Sequence, residues 1–381
     1  MKKLKSCKGM SLSSVVLLML CLILVAFLIY EVVYVDIFDI MDKNKSPVDS
    51  ISETISNFVE NKAGILKEQT NVEKIEPIIN EGYQTSESGV NVSNHYYYNQ
   101  LDENAKIIYS ALENNKENMR SGTYKIDFGT QFNSLLKQSD GEAKLNVAFQ
   151  SAWNAFTYDY PEIFYIDITK LILTTKTTSI GSFSTHRVEL ANEENSTYYA
   201  EGISSKSDLI YKEEYAKKIR DKIVNNLKGY SNYEQIKYVH NWLIDNLEYD
   251  TTYKQTDIHN VYGALVNRKV VCEGYARAFK YILDGLDIEN ILVSGTATNS
   301  NNSTESHAWN YVKLDGKWYA IDVTWDDPII KGGGRLTDKL RYQNFLKGKD
   351  EFLSNHIEDG YLSENSIKFI FPELNSKNYN T

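Results

Sequence analysis

The stretch SHAWNYVKLDGKWYAIDVTWDD, residues 306 to 327, constrains this chain's architecture more than any other. Apolar and polar residues alternate on both sides of Asp315-Gly316, and Asp-Gly between two such runs marks a two-residue type I′ hairpin turn. The turn sets the register. Leu314 faces Lys317, and the pairs continue outward to Trp309 opposite Asp322 and His307 opposite Thr324. Because strand side chains alternate, His307, Trp309, Asp322 and Thr324 are expected on one face. His307 and Asp322 are then diagonal neighbours about 7 Å apart at Cβ, close enough for a carboxylate to bond an imidazole. Asp322 interrupts the apolar run WYAIDVTW. A buried carboxylate without a partner is costly, so a paired role is expected.

The cysteines narrow the chemistry. The chain opens MKKLKSCKGM and then runs from residue 11 to residue 30 without a charge. As a helix this run rises about 30 Å, enough to cross a bilayer core. Lys2, Lys3, Lys5 and Lys8 precede it and favour a cytoplasmic N-terminus with the remainder outside. A cleaved signal peptide is the competing reading. The length of the run, and the lack of an A-x-A-like site after it, favour a retained signal-anchor. Cys7 is then cytoplasmic and Cys21 lies in the bilayer, which leaves Cys272 without an intramolecular partner. An unpaired thiol outside the cytoplasm is either a buried small hydrophobe or a reactive group. In CEGYARAFKYILDGLDI, Ala276, Phe279, Tyr281 and Ile282 recur at helical spacing, with Cys272 at the N-terminal edge. Helix N-termini favour anions and so favour a nucleophilic thiolate. Glu273 opposes this unless it points outward.

Five segments follow from the pattern: a basic tail at 1–10, a transmembrane signal-anchor at 11–35, a juxtamembrane spacer at 36–90, a mixed α/β region at 91–205 and a domain at 206–381 that carries Cys272, His307 and Asp322. The spacer includes a candidate amphipathic helix with Ile51, Ile55, Phe58 and Val59 on one side. In the mixed region LDENAKIIYSALENNKENM reads as a helix capped by Asp102, and a second helix breaks before Pro161. KLILTTKTTSIGSFSTHRVEL is strand-like. Helices are expected over 209–229 and over NYEQIKYVHNWLIDNLEYD, residues 232–250, with His240 beside the core stripe of the second. TATNSNNSTES, before His307, reads as a polar flexible loop. KGGGR at 331–335 lacks the spacing of a phosphate loop. The net charge of −10 argues against nucleic-acid binding. The six histidines show no close ligand spacing, so no metal site is expected.

KVVCEGYARAFKYIL, ESHAWNYV and WYAIDVTWDDP together resemble the motif blocks of the microbial transglutaminase-like superfamily, over about residues 205–375. YPEIFYID resembles an N-terminal extension of bacterial relatives and implies a Gram-positive source. The resemblance implies an α+β, papain-like core in which the nucleophile helix packs on an antiparallel sheet. It further implies Cys272 as nucleophile, His307 as general base and acid, and Asp322 as the residue that orients His307. An oxyanion would be held by the Cys272 backbone N–H and an upstream side chain, with Tyr249 and Trp242 as candidates. The family's animal cross-linking enzymes carry a tryptophan after the cysteine and calcium loops. Here Glu273 follows and no D-x-D-x-D-G loop is present, so no cofactor is expected. The implied activity is acyl transfer from a glutamine carboxamide to an amine at the cell surface. The alternative is thiol hydrolysis of protein or cell-wall peptide. A third class, an anchored non-catalytic binding module, is disfavoured by the intact Cys272, His307 and Asp322.

Overall fold

The computed structural model describes residues 95–180, 183–328 and 336–380, all within one compact unit, Ile78–Thr381. The basic tail, the apolar run, the spacer and KGGGR lie outside these residues. Among the described residues no helix is long and apolar enough to cross a membrane.

Helix α1 (Glu103–Asn114) begins where expected, with the Asp102 carboxylate accepting from the Ala105 N–H at 2.8 Å. This bond satisfies one of the donors a helix start leaves free. Strand β1 (Ile126–Gly129) follows, and then helix α2 (Gly141–Asp159), which stops just short of Pro161. β2 (Ile172–Ile180) and β3 (Phe183–Ala191) form an antiparallel hairpin. With β1 they make a three-stranded sheet of order β1-β3-β2.

The second half starts with α3 (Lys206–Asn226), capped by Ser205, and α4 (Asn232–Asn246), held by a capping box between Ser231 and Glu234. β4 (Glu248–Tyr249) pairs in parallel with β5 (Lys269–Val270), which delivers the chain to α5 (Cys272–Asp284). Then β6 (Asn290–Thr298), β7 (Thr304–Leu314), β8 (Lys317–Ile321) and β9 (His356–Glu358) form an antiparallel sheet of order β8-β7-β6-β9. Helix α5 lies against β6 and β7. This is the mixed α+β arrangement expected, with a helix that begins at Cys272 packed on an antiparallel sheet.

Each face of that sheet serves a different core. Val312, Leu314, Tyr319 and Ile321 join Phe279, Ile282 and the inner faces of α3 and α4. Ile291, Val293, Trp309 and Tyr311 belong to a cluster that runs back through Tyr97, Tyr109 and Phe156. Region 95–205 thus shares an apolar core with the back of the β6–β7 sheet. Tyr97 adds a bond from its hydroxyl to the Leu292 carbonyl and an edge contact with Phe369 at 5.2 Å.

Two expectations need correction. The hairpin register holds from Leu314↔Lys317 to Asn310↔Ile321, but β8 ends there. The chain turns instead, because the Asp322 carboxylate accepts the Trp325 N–H at 3.1 Å, and Thr324 lies in that turn rather than opposite His307. Short Asx-type bonds compete with strand pairing in this way. The polar stretch before His307 is also mostly strand. β6 and β7 stay paired out to Thr298↔Thr304, and a tight connection is stapled by Asn299 Oδ1, which accepts from Asn301 and Ser303.

The approach of β9 to β6 depends on Gly295. A Cβ there would sit 2.0 Å from the Ile357 carbonyl oxygen and 2.8 Å from the Trp309 ring. Gly295→Ala should therefore destabilise the fold by about 1–3 kcal/mol in urea titration, in line with other overpacked sites. Amide exchange should quicken first at residues 356–358.

Candidate active site

Cys272 is the first residue of α5, as the sequence indicated, and it is half-buried. Helices α1, α3 and α4 each have a side chain bonding their first-turn N–H groups; at α5 the N-cap is Val271, which makes no such bond. The donors beside the thiol are left for another acceptor. Gly274 allows the close approach, since a Cβ there would lie 2.5 Å from Val270 Cβ and 2.6 Å from the Ile258 carbonyl. The first turn is seated by Ala276, which packs with Leu292 and Ala308, and Cys272 joins this small cluster. β7 therefore passes the start of the helix at His307.

Glu273 does turn outward. Its carboxylate accepts from Arg277 Nε at 2.8 Å and His259 Nδ1 at 3.1 Å. Burial would raise its pKa, yet Arg277 and His259 hold it at about 2. Its charge is thus met by Arg277 and His259. Arg277 also donates to the Thr157 carbonyl at 2.8 Å, which ties α5 to the end of α2.

His307 is 5% exposed and Asp322 is fully buried, with His307 Nε2 at 2.8 Å from Asp322 Oδ2. Burial alone would push the imidazole pKa down. The Asp322 carboxylate, aided by the side-chain hydrogen bond with Cys272, raises it to about 10. Burial would push Asp322 up, but His307 and His356 hold its carboxyl well below the usual carboxylate range. An ionised carboxylate only accepts, so Nε2 carries the proton of that bond. Nδ1 is the nitrogen left for the thiol. The three expected residues are thus brought together in the order thiol, imidazole, carboxylate.

Tyr249 also belongs here. Its hydroxyl pKa is raised by burial, then by a hydrogen bond with Tyr253, then by the charge of Cys272. Trp242 instead carries the Arg268 guanidinium over its ring at 4.4 Å. His240, expected beside the core, is fully buried and bonds Asp326 Oδ2 at 3.0 Å. Asp326 in turn accepts from the Asn344 backbone N–H at 2.7 Å. That pair anchors the turn on which Asp322 stands.

Sequence reasoning missed two residues. Tyr158, at the end of α2, packs against Cys272 and Ala276 and feels the charges of Glu273 and Arg277. His356, on β9, places Nε2 at 3.2 Å from the same Asp322 oxygen that His307 uses. Neither lies in a motif, and no periodicity points to them. Among the described residues, His307, Asp322 and His356 are the group whose potential ligand atoms cluster, within 4.8 Å. An ionised carboxylate only accepts, so each Nε2 carries a proton toward Oδ2 in this arrangement.

Known proteins resemble this region. Residues 211–323 match the family model "Transglutaminase-like superfamily". The human protein "Kyphoscoliosis peptidase" is 25% identical over 201 residues, covering 47% of this chain and 27% of its own length. The mouse protein of that name is 26% identical over 149 residues, covering 35% and 22%. The chain thus spans about a quarter of the length of these relatives. A solved structure described as a TGase covers 46% of this chain and 50% of its own, at 16% identity and a TM-score of 0.28.

The pH dependence of stability follows from the buried pair. His307 has its folded pKa above the ordinary 6.5, so its contribution is complete below pH 6.5 and fades as pH rises through about 10. Asp322 is depressed, so its contribution is present above pH 3.8 and is lost as pH falls below that. Asp322→Asn should cost about 3–5 kcal/mol of unfolding free energy between those limits. The gap from wild type should narrow on either side when urea titrations are run across pH.

Proposed function

The chain belongs, through residues 211–323, to the transglutaminase-like superfamily, and on that footing we propose that it is a thiol acyltransferase working through a Cys272 thioester. The observation that carries the reading is His307, bonded through Nε2 at 2.8 Å to the buried carboxylate of Asp322, with Cys272 close enough to act on its pKa. His307 takes the thiol proton, and Sγ attacks the side-chain carboxamide of a glutamine. Asp322 stabilises the imidazolium and fixes the ring's tautomer. The tetrahedral oxygen is met by the uncapped N–H groups at the start of α5 and by the Tyr249 hydroxyl. His307 returns its proton to the leaving nitrogen, ammonia departs, and a thioester remains. A lysine amine then attacks the thioester and gives a proton to His307; the C–S bond breaks, the Cys272 thiolate leaves beside the imidazolium, and an isopeptide bond remains.

The second reading uses the same thioester with water as the acceptor. It is favoured by the name peptidase carried by the human and mouse relatives. The uncharged run at 11–30, preceded by four lysines, supports membrane anchoring with Cys272 outside the cytoplasm, where surface or cell-wall proteins and peptides would be the substrates.

Incubation of the protein with a fluorescent primary amine and a glutamine-rich protein tests the reading. Covalent amine incorporation, abolished in Cys272→Ala, is expected; cleavage of the protein without incorporation would assign the hydrolytic reading instead. Tyr249→Phe removes one oxyanion donor and should lower kcat by about 10²–10³ with little change in KM, while Trp242→Phe should leave kcat near wild type.

A further inference from the structure

We propose that His356 is a positioning residue that acts on His307 through Asp322, extending the relay to His356–Asp322–His307–Cys272. The inference rests on the reading of Cys272, His307 and Asp322 as the reacting groups. Asp322 Oδ2 accepts from two imidazoles, His307 Nε2 at 2.8 Å and His356 Nε2 at 3.2 Å. The other oxygen accepts the Trp325 N–H at 3.1 Å. The carboxylate has no exposed surface, so its orientation is set by these donors alone.

The fold brings the two rings to this oxygen through β6. Gly295 pairs with His307, and Ala297 pairs with His356, so alternate positions of one strand, which share a face, carry the two histidines on its two edges. The His356 ring is clamped by a stack on Phe352 at 3.9 Å, by Trp325 at 4.7 Å and by Trp309 at 5.1 Å. Its Nδ1 lies 2.8 Å from Asn355 Oδ1. That surround would suit any flat ring, and packing alone calls for no imidazole. What a phenyl ring lacks is the N–H aimed at Oδ2.

Two consequences follow for His307. The second donor prevents the carboxylate from rotating away from Nε2. It also draws part of the carboxylate's charge, which loosens the hold on the imidazolium so that the proton can be returned to the leaving nitrogen. The titratable groups around His356 are Asp322 from the turn after β8 and His307 from β7. Asp326 acts on Asp322 from the far end of the same turn, with its own charge met by His240. Glu358, on β9 itself, is bonded to the Tyr311 hydroxyl.

The test compares His356→Phe, which keeps a flat ring, with His356→Gln, which keeps an N–H donor. Two quantities are read: kcat and KM for amine incorporation, and the pH dependence of Cys272 alkylation by iodoacetamide. The Phe variant should lose about 10- to 100-fold in kcat with KM unchanged, the range over which outer partners of a metal-bound imidazole act. It should also shift the midpoint of the alkylation profile, whereas the Gln variant should restore most of both. A Phe variant that matches wild type in kcat and profile overturns the proposal, as do Phe and Gln variants with equal losses and an unshifted profile. Should the Phe variant not fold, His356→Leu replaces it with the same expectations. If the wild-type protein incorporates no amine, the alkylation profiles still decide this inference, so its failure and that of the acyl-transfer reading are separable.

Discussion

A carboxylate with no access to water, Asp322, must find all its hydrogen bonds within the protein, and the elements around it are arranged to supply them. One comes from β7, one from the backbone of its own turn and one from β9. The turn is fixed from below by a second buried pair, His240 with Asp326, which reaches into α4. Buried ion pairs are costly to assemble and costlier to break, so each contributing element is held in register with the others. The strand pairing around Gly295 provides that register. It lets β9 come close enough for His356 to reach the same oxygen as His307.

The thiol is placed by a separate set of constraints. β5 and the glycine at position 274 seat the first turn of α5, and the uncapped N–H groups there remain available. Glu273 is neutralised by Arg277, which is itself bonded to the end of α2. Tyr158, from the same helix end, packs on Cys272. Region 95–205 therefore does more than precede the site. It forms one wall beside Cys272 and covers the back of the sheet through Trp309 and Tyr311.

Much of this was legible from the residues. Asp315-Gly316 dictates a turn type, the turn dictates the register, and the register brought His307 and Asp322 together before any coordinates. Asp102 marks a helix start because its side chain bonds a free N–H of the first turn. The reading broke down where local polar bonds outcompete a repeating pattern. The Asp322 carboxylate captured the Trp325 N–H and ended β8, which moved Thr324 off the strand. Residues 296–306 read as loop because the exposed ends of β6 and β7 need no apolar residues, although the ladder continues to Thr298↔Thr304. His356 and Tyr158 were illegible for another reason. Their contacts arise from strand order and from packing between distant segments, which leaves no spacing in the chain to detect.

The central claim is that His307, held by Asp322, makes Cys272 a nucleophile that carries an acyl group. Mass spectrometry of the protein after brief exposure to p-nitrophenyl acetate tests it most directly. The account predicts a single acetyl on the Cys272 peptide, formed with a burst of nitrophenol and absent in His307→Ala. Acetylation spread over lysines, or unchanged at Cys272 in His307→Ala, would contradict it.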